Sequence, residues 1–327
     1  MYKGIGIISI DSYVPQKVIT NFDLEKIVDT TDEWIRTRTG IKKRHILDEN
    51  EATSDLATKA AQRVLARANM KPQDIDCIIV ATASPDMFFP STGCIVQRNI
   101  GAVNAFAMDV SAGCAGFIYI TILAAQMIAS GFCKHILVIG AEGLTRFIDW
   151  EDRATCVLFG DGAGAAIMGK VAKDRGILGA YLGSNGEGAD LLKLPAGGTR
   201  LPASVETVAT RSHYIKMQGN EIFKYAVREM SESVIKSLAS AGLTIEDLDL
   251  FVPHQANKRI IDAVAKKLGI SEEKVMVNIE EYGNTSAASI PIAIGEAVEQ
   301  KKLKEGMILA TSAFGAGFTF GSFLMRW

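Results

Sequence analysis

The sequence lacks the features that mark several large classes of protein. It has no excess of charge of one sign, since 35 Lys and Arg residues face 37 Asp and Glu residues and leave a formal net charge of −2. A dedicated nucleic-acid-binding domain is normally strongly basic, and no basic arm is found. No two cysteines have the Cys-x-x-Cys spacing, and no residues have the spacing of zinc ligands. The sequence therefore predicts neither a nucleic-acid partner nor a metal site.

Cysteine is scarce, and the membrane and export signals are weak. Five cysteines, an odd number in a long chain, favour reduced thiols and a cytoplasmic location. Residues 1–10 contain too short an apolar run for a signal peptide and no cleavage-site pattern. The uncharged run 110–133 has the length of a membrane span, but Ser, Thr, Gln, Gly and Ala dilute it. We therefore expect a buried helix of a large core and no membrane partner.

One pattern occurs twice along the chain at a fixed offset. Residues 65–76 and 238–249 each read as a helix end and an Asp-apolar-Asp turn, and an apolar strand follows each. Later, both halves finish with an apolar strand and a glycine turn. A repeat of this length is too long for a solenoid unit. It predicts two duplicated α/β halves, residues 1–172 and 173–327, with mixed sheets and central helices packed between them.

Cys114 occupies an unusual position in the sequence Asp-Val-Ser-Ala-Gly-Cys-Ala-Gly-Phe, where a strand or loop turns into a long helix. The free N–H groups and the dipole of a helix N-terminus favour an anion, so we expect a lowered pKa for this thiol. A thiolate attacks a thioester carbonyl well and gives an acyl-enzyme. Most free cysteines are simply buried apolar residues. That interpretation applies to Cys77, Cys94, Cys133 and Cys156.

Two polar residues of the second half are candidate partners for Cys114. His254 ends a predicted strand, and Asn284 lies in a Gly-Asn-Thr-Ser stretch. Alone, each has an ordinary structural explanation, as a packed histidine or a turn-forming asparagine. However, strand ends at a sheet crevice are where α/β proteins bind ligands. The repeat also sets Cys114 opposite Ala287 and Asn284 opposite Ser111, so we predict that Cys114, His254 and Asn284 meet at one crevice.

These motifs resemble those of the β-ketoacyl-acyl-carrier-protein synthase III family, the condensing enzymes that initiate type II fatty acid synthesis. The matching segments are Ser-Ala-Gly-Cys-Ala-Gly-Phe around Cys114, Pro-His-Gln-Ala-Asn around His254 and Tyr-Gly-Asn-Thr-Ser-Ala-Ala-Ser around Asn284. Asp-Glu-Trp-Ile-x-Thr-Arg-Thr-Gly-Ile near the start and Phe-Gly-Ala-Gly-Phe-Thr near the end match as well. The resemblance covers the whole chain and implies a thiolase-like fold and a homodimer.

The resemblance also implies a two-stage reaction without a cofactor. Cys114 would take an acyl group from acyl-CoA, and malonyl-acyl-carrier-protein would then lose CO2 and attack the acyl-cysteine. His254 and Asn284 would donate hydrogen bonds to the thioester oxygen during decarboxylation. The backbone N–H groups of Cys114 and Ala316 would form a second oxyanion hole, and Phe314 would lie against the departing carboxylate.

Further roles follow from the same resemblance. Residues implied in CoA binding are Trp34, Arg38, Arg153, Gly219, Asn220, Phe223 and Asn257. Phe89 would reach across the dimer to the acyl pocket of the second subunit. Residues implied in docking the acidic carrier protein are Lys224, Arg259, Lys266 and Lys267.

Several alternatives remain at this point, and two are disfavoured by the residues. A thiolase needs a second, basic cysteine from the C-terminal half, but no cysteine follows Cys156. An elongating ketosynthase pairs its cysteine with two histidines, whereas this chain has Asn284. A related acyltransferase or condensing enzyme of secondary metabolism stays open, as does a non-catalytic acyl-CoA-binding homologue. The primer, acetyl or a short or branched acyl group, is also open.

Overall fold

The computed structural model describes residues 2–327, which form two five-stranded sheets and two small two-stranded ones. The strands are β1 (Tyr2–Lys3), β2 (Ile5–Tyr13), β3 (Val18–Thr20), β4 (Lys43–His45), β5 (Cys77–Ala81), β6 (Phe106–Val110), β7 (Ile136–Glu142), β8 (Gly162–Lys170), β9 (Gly176–Ser184), β10 (Leu192–Lys193), β11 (Lys216–Met217), β12 (Leu250–Pro253), β13 (Ile308–Gly315) and β14 (Thr319–Arg326). The helices are α1 (Asn21–Leu24), α2 (Asp32–Thr39), α3 (Thr53–Ala68), α4 (Thr92–Ile100), α5 (Gly116–Ala129), α6 (Arg153–Cys156), α7 (Val205–Ala209), α8 (Gly219–Ala241), α9 (Lys258–Leu268), α10 (Ile279–Tyr282) and α11 (Ser289–Glu299).

The two large sheets are mixed and share four equivalent strands, β2-β8-β7-β5 and β9-β14-β13-β12, while the fifth strand of each lies at opposite edges. The first sheet runs β2-β8-β7-β5-β6, and the second runs β1-β9-β14-β13-β12. Strands β5 and β7 are parallel, as are their counterparts β12 and β13, whereas β8 and β14, the other neighbours of β7 and β13, are antiparallel to them. The predicted fold class is therefore confirmed. Strand β1 is an exception to the division at residue 172, because it pairs with β9 in the second sheet.

The central helices α5 and α11 lie between the two sheets. Phe117 and Ile118 of α5 and Ile294 of α11 belong to one buried cluster with apolar residues of both sheets. Burying each such side chain contributes roughly 1.5–3 kcal/mol. Helices α3 and α4 cover the outer face of the first sheet, and α8 and α9 cover that of the second. The result is a five-layer arrangement with the central helices in the middle.

The repeat found in the sequence extends to the turns before the central helices. A 3-10 turn of Gly113–Ala115 precedes α5, and a 3-10 turn of Ser286–Ala288 precedes α11. Strand β7 passes so close to the second turn that a Cβ atom on Gly140 would lie 2.2 Å from the carbonyl oxygen of Ala287. The two halves thus meet where Cys114 and Ala287 occupy equivalent positions.

The apolar run that contains α5 is an interior element. Helix α5 has 14 residues, and most of its side chains are buried between the sheets. Across residues 2–327, no helix is both long enough and apolar enough to cross a bilayer.

Candidate active site

Cys114 lies where two cavities meet. Its side chain is 9% exposed, in the turn that leads into α5. One cavity has a volume of about 540 Å³ and contains Cys114, His254 and Asn284 in its lining. The other, of about 170 Å³, is mostly apolar and also contains Cys114. A reacting group held at Cys114 therefore has a wide channel on one side and a small apolar chamber on the other.

The thiol of Cys114 does not have the lowered pKa expected from its place near a helix N-terminus. Burial raises the pKa of Cys114 to about 12; the neighbouring Ser286 hydroxyl opposes this shift, and the charge of Glu142 adds to it. The expectation was wrong because the loss of water around the thiolate outweighs the favourable field of the helix terminus. The thiol is protonated at rest, so its attack on a thioester requires a proton acceptor.

His254 follows β12 and presents one ring nitrogen to the large cavity. Its Nδ1 atom lies 2.7 Å from Ser289 Oγ, while its buried Nε2 atom has no hydrogen-bond partner among residues 2–327. Ser289 Oγ also accepts the backbone N–H of Gln255 at 3.4 Å, so its own hydroxyl is available to donate to Nδ1. Burial lowers the pKa of His254 to about 3. The ring is neutral, and this network favours the tautomer with the proton on Nε2.

Asn284 is held in place by both its backbone and its side chain. Its N–H donates to Leu158 O at 2.9 Å, and its carbonyl accepts from Gly160 N at 3.0 Å. Its Oδ1 atom accepts the N–H of Ser286 at 2.9 Å. Because the amide oxygen is used in this way, the NH2 group is free to donate elsewhere. Two neutral donors, from His254 and Asn284, are therefore available to the same cavity.

Backbone atoms from the end of β13 pack tightly against the turn that carries Cys114. A Cβ atom on Gly315 would lie 2.4 Å from the N atom of Cys114, and one on Gly113 would lie 2.8 Å from the N atom of Ala316. Ala316 lines the small cavity, and Phe314 lines the large one. Glycine at positions 113 and 315 is thus required for the close approach of the two backbone segments.

Most residues implied in CoA binding line the large cavity. These are Trp34, Arg38, Gly219, Asn220, Phe223 and Asn257. Arg153 is not in the lining; its guanidinium group lies over the Trp34 ring, 4.9 Å from the ring centroid. Trp34 and Arg153 are therefore in direct contact, and no space for a further ring lies between them.

The residues implied in contacts with other proteins lie at the surface. Phe89 is 85% exposed and belongs to neither cavity that contains Cys114. Lys224 and Arg259 line the large cavity, and Arg259 lies over the Phe223 ring at 5.7 Å. Lys266 and Lys267 are exposed in the last turn of α9 and do not line it. The four basic residues are therefore not equivalent in position.

Sequence reasoning missed two groups of residues around Cys114. The first comprises the apolar residues that line the small cavity, namely Leu144, Phe147, Leu192, Leu194 and Ile215. The second comprises polar residues that contact the reactive groups, namely Glu142, Ser286 and Ser289. The available signal was a charged residue, Glu142, directly at the end of an apolar strand, where α/β proteins place functional side chains.

Two duplicated α/β halves with a cysteine, a histidine and an asparagine at one cavity define a condensing enzyme of the thiolase-like fold. The family model for 3-oxoacyl-[acyl-carrier-protein] synthase III matches residues 108–186, and the model for the C-terminal part of that family matches residues 238–327. The first match contains Cys114, and the second contains His254 and Asn284. This chain belongs to the 3-oxoacyl-[acyl-carrier-protein] synthase III family, also called β-ketoacyl-[acyl-carrier-protein] synthase III. The resemblance seen in the sequence is confirmed.

Individual relatives agree with the family assignment over the full length. The β-ketoacyl-[acyl-carrier-protein] synthase III of Caldanaerobacter subterraneus subsp. tengcongensis is 56% identical over 322 residues, which cover 98% of this chain and 97% of the relative. The crystal structure of the synthase III from Aquifex aeolicus VF5 has a TM-score of 0.92 at 48% identity and covers 99% of this chain and 100% of its own. The structure from Thermus thermophilus has a TM-score of 0.93 at 46% identity, with coverage of 98% and 99%.

Proposed function

We propose that this protein condenses an acyl-CoA primer with malonyl-acyl-carrier-protein, releases CoA and CO2, and thereby initiates fatty acid synthesis. The observation that carries the proposal is the position of Cys114 between the 540 Å³ cavity and the 170 Å³ apolar cavity. The large cavity suits the arm of CoA or of the carrier protein, and the small one suits a short acyl chain. The reaction needs no cofactor beyond the CoA thioester itself.

In the first stage Cys114 becomes acylated. The thiol loses its proton and its sulfur attacks the thioester carbon, while the backbone N–H groups of Cys114 and Ala316 stabilise the oxyanion. The bond to the CoA sulfur then breaks, and CoA leaves as the thiol. The acyl chain occupies the apolar cavity beside Phe147 and Ile215.

In the second stage the malonyl group occupies the large cavity. Loss of CO2 leaves negative charge on the thioester oxygen, and Nε2–H of His254 and the NH2 group of Asn284 stabilise that charge. Phe314 presents an apolar ring to the departing carboxylate, which favours loss of its charge as CO2. The carbanion attacks the acyl carbon on Cys114, and the cysteine sulfur leaves.

The binding roles follow the positions of the exposed residues. Trp34 and Arg38 contact CoA at the outer part of the large cavity, and Arg153 moves off Trp34 to admit the adenine. Lys224 and Arg259 attract the acidic carrier protein at the same opening. Lys224 and Arg259 line the cavity, whereas Lys266 and Lys267 do not, so the docking role is better supported for the first pair.

The working unit is a homodimer in the cytoplasm. Strand β6 is an open edge of the first sheet, and Phe106 on that strand and the nearby Phe132 expose apolar rings 5.8 Å apart. An uncovered strand edge with apolar side chains is a template for pairing with another chain. Exposed Phe89 would reach the acyl cavity of the second copy, as the family resemblance implies.

Product analysis tests the proposal and separates it from its alternatives. The protein is incubated with acetyl-CoA or isobutyryl-CoA and malonyl-acyl-carrier-protein, and the carrier protein is analysed by mass spectrometry. A β-ketoacyl carrier protein with equimolar CO2 is the expected product. Acyl transfer without CO2 release would indicate the related acyltransferase. Product at only the uncatalysed background level, equal in the wild type and Cys114→Ala, would indicate a non-catalytic binding protein.

A further inference from the structure

A buried carboxyl group lies beside the nucleophile, and the reaction described above does not use it. Glu142, the last residue of β7, is fully buried. Its carboxyl group accepts the N–H of Ala83 at 3.1 and 3.2 Å and contacts the hydroxyls of Thr82 and Ser84 at 3.3 and 2.5 Å. All these partners are neutral. Burying a carboxylate without a cation partner costs stability, so its presence beside the nucleophile calls for a functional explanation.

Ser286 connects this carboxyl group to Cys114. Its hydroxyl donates to Glu142 Oε1 at 2.9 Å, and Ser286 and Cys114 lie together in the lining of the small cavity. Ser286 has a φ of +48°, a backbone conformation that side chains other than glycine rarely adopt. The N–H of Ser286 is used by Asn284 Oδ1. Because the hydroxyl donates its one proton to Glu142, its oxygen keeps lone pairs that can accept the S–H proton of Cys114.

His254 is poorly suited to accept the proton of Cys114. Its Nδ1 atom is used by Ser289, and the tautomer favoured above already has a proton on Nε2. Burial lowers the pKa of this ring to about 3, whereas burial raises the pKa of Glu142 to about 7. Of the two groups, the Glu142 carboxylate is the better proton acceptor near neutral pH.

We propose that Ser286 and Glu142 form a two-step proton path that takes the proton of Cys114 during acyl transfer. As the sulfur attacks the thioester, the S–H proton moves to Ser286 Oγ and the Ser286 proton moves to Glu142 Oε1. When the bond to the CoA sulfur breaks, the same path in reverse delivers one proton to that sulfur. Glu142 is ionised before and after the step, and His254 stays neutral for decarboxylation. The inference rests on the proposed function.

Single-turnover acylation by acetyl-CoA, followed by intact-protein mass spectrometry, tests the path. Glu142→Gln keeps the shape of the side chain but cannot accept the proton, so acylation should slow by about 10²-fold. If Glu142 acted only through its charge, Glu142→Gln would instead speed acylation, because removing that charge makes the Cys114 thiolate easier to form. Acylation that is unchanged or faster in Glu142→Gln would overturn the proposal.

A second variant and two further readouts exclude a merely structural effect. Ser286→Gly removes the hydroxyl, suits the positive φ and keeps the N–H that Asn284 uses, so it should slow acylation to a similar extent. Both variants should decarboxylate malonyl-acyl-carrier-protein within about twofold of the wild type, and both should lose the solvent deuterium isotope effect on acylation. Equal loss of acylation and decarboxylation would contradict the path. If the wild type formed no acyl adduct at all, the proposed function itself would fail.

Discussion

The two halves of the molecule share four sheet strands in the same order and a central helix, but they have different chemical roles. The turns Gly113–Ala115 and Ser286–Ala288 precede equivalent central helices, yet the first contains Cys114 and the second contains Ala287 at the matching position. The second half supplies His254 and Asn284. The duplicated fold therefore positions the site. A few side chains that differ between the halves make the first half the source of the nucleophile and the second half the source of the hydrogen-bond donors.

The connections between the strands differ more than the strands themselves. In the first half, residues 143–161 join β7 to β8 and include Arg153 and Phe159, whereas only residues 316–318 join β13 to β14. The segment between β2 and α3 contains Trp34 and Arg38. The repeated core thus holds the reacting groups, and these insertions provide the outer lining of the cavity.

The largest expected effect comes from removing a hydrogen-bond donor of the second half while the nucleophile of the first half, Cys114, is kept. In His254→Ala, condensation should fall by about 10³-fold, because the charge formed during decarboxylation loses one of its two donors. Acylation of Cys114 should persist, since the first stage uses backbone donors. Quenched-flow mass spectrometry and CO2 release measure the two stages separately. Equal loss in both stages would contradict the division of roles between the halves.

A smaller effect is expected where backbone segments of the two halves approach each other. In Gly315→Ala, the added methyl group would lie 2.4 Å from the N atom of Cys114, so the turn must shift and acylation should fall by about 10- to 100-fold. Gly186→Ala is the matched control, because no atom lies within 4 Å of a Cβ atom there. The acylation rate and the melting temperature are measured for both. A similar loss of acylation in Gly186→Ala would contradict the claim that the close backbone contact at Gly315 causes the effect.

Charge reversal at the opening of the large cavity should have a more moderate effect. Arg259→Glu should raise the KM for malonyl-acyl-carrier-protein by about tenfold and spare acyl transfer from CoA, because the acidic partner meets repulsion at the opening. Lys266→Glu is the control, because it changes the charge by the same amount at a residue outside the cavity lining. It should raise the KM for malonyl-acyl-carrier-protein less. Steady-state kinetics at low ionic strength compare them. If Arg259→Glu impaired the use of acyl-CoA and of malonyl-acyl-carrier-protein equally, the proposed docking role of Arg259 would be wrong.

The smallest expected effect concerns the pH dependence of decarboxylation, because His254 of the second half should not gain a proton near neutral pH. Because burial lowers the pKa of His254 to about 3, the ring stays neutral as the pH falls from 8 to about 5.5. Decarboxylation by Cys114→Ala, which removes the thiol from the measurement, should therefore show no loss with a midpoint near the ordinary histidine value of 6.5. A midpoint near that value in the rate of CO2 release would show that His254 titrates normally.

The sequence predicted the parts of the site that depend on the repeat. The offset that aligns Cys114 with Ala287 also gave the two equivalent turns, because apolar periodicity and glycine positions determine where strands and helices meet. The motifs around His254 and Asn284 predicted residues that the structure brings to one cavity.

What depends on packing between distant segments was not predicted from the sequence. The raised pKa of Cys114 follows from burial by both halves, and the direct contact of Arg153 with Trp34 depends on side-chain orientation. The small cavity combines residues from widely separated parts of the chain, such as Leu144 and Ile215. The sequence analysis assigned no role to Glu142, whose link to Cys114 runs through Ser286 of the other half.

The most direct test of the account is intact-protein mass spectrometry after incubation with acetyl-CoA, isobutyryl-CoA and a longer acyl-CoA. The account predicts a mass gain of one acyl group in the wild type, greater for the short primers that fit the small cavity, and no gain in Cys114→Ser. Cys133→Ala, which removes a buried cysteine outside both cavities, should behave like the wild type. Absence of an adduct with every acyl-CoA, or an adduct that persists in Cys114→Ser, would contradict Cys114 as the acyl carrier.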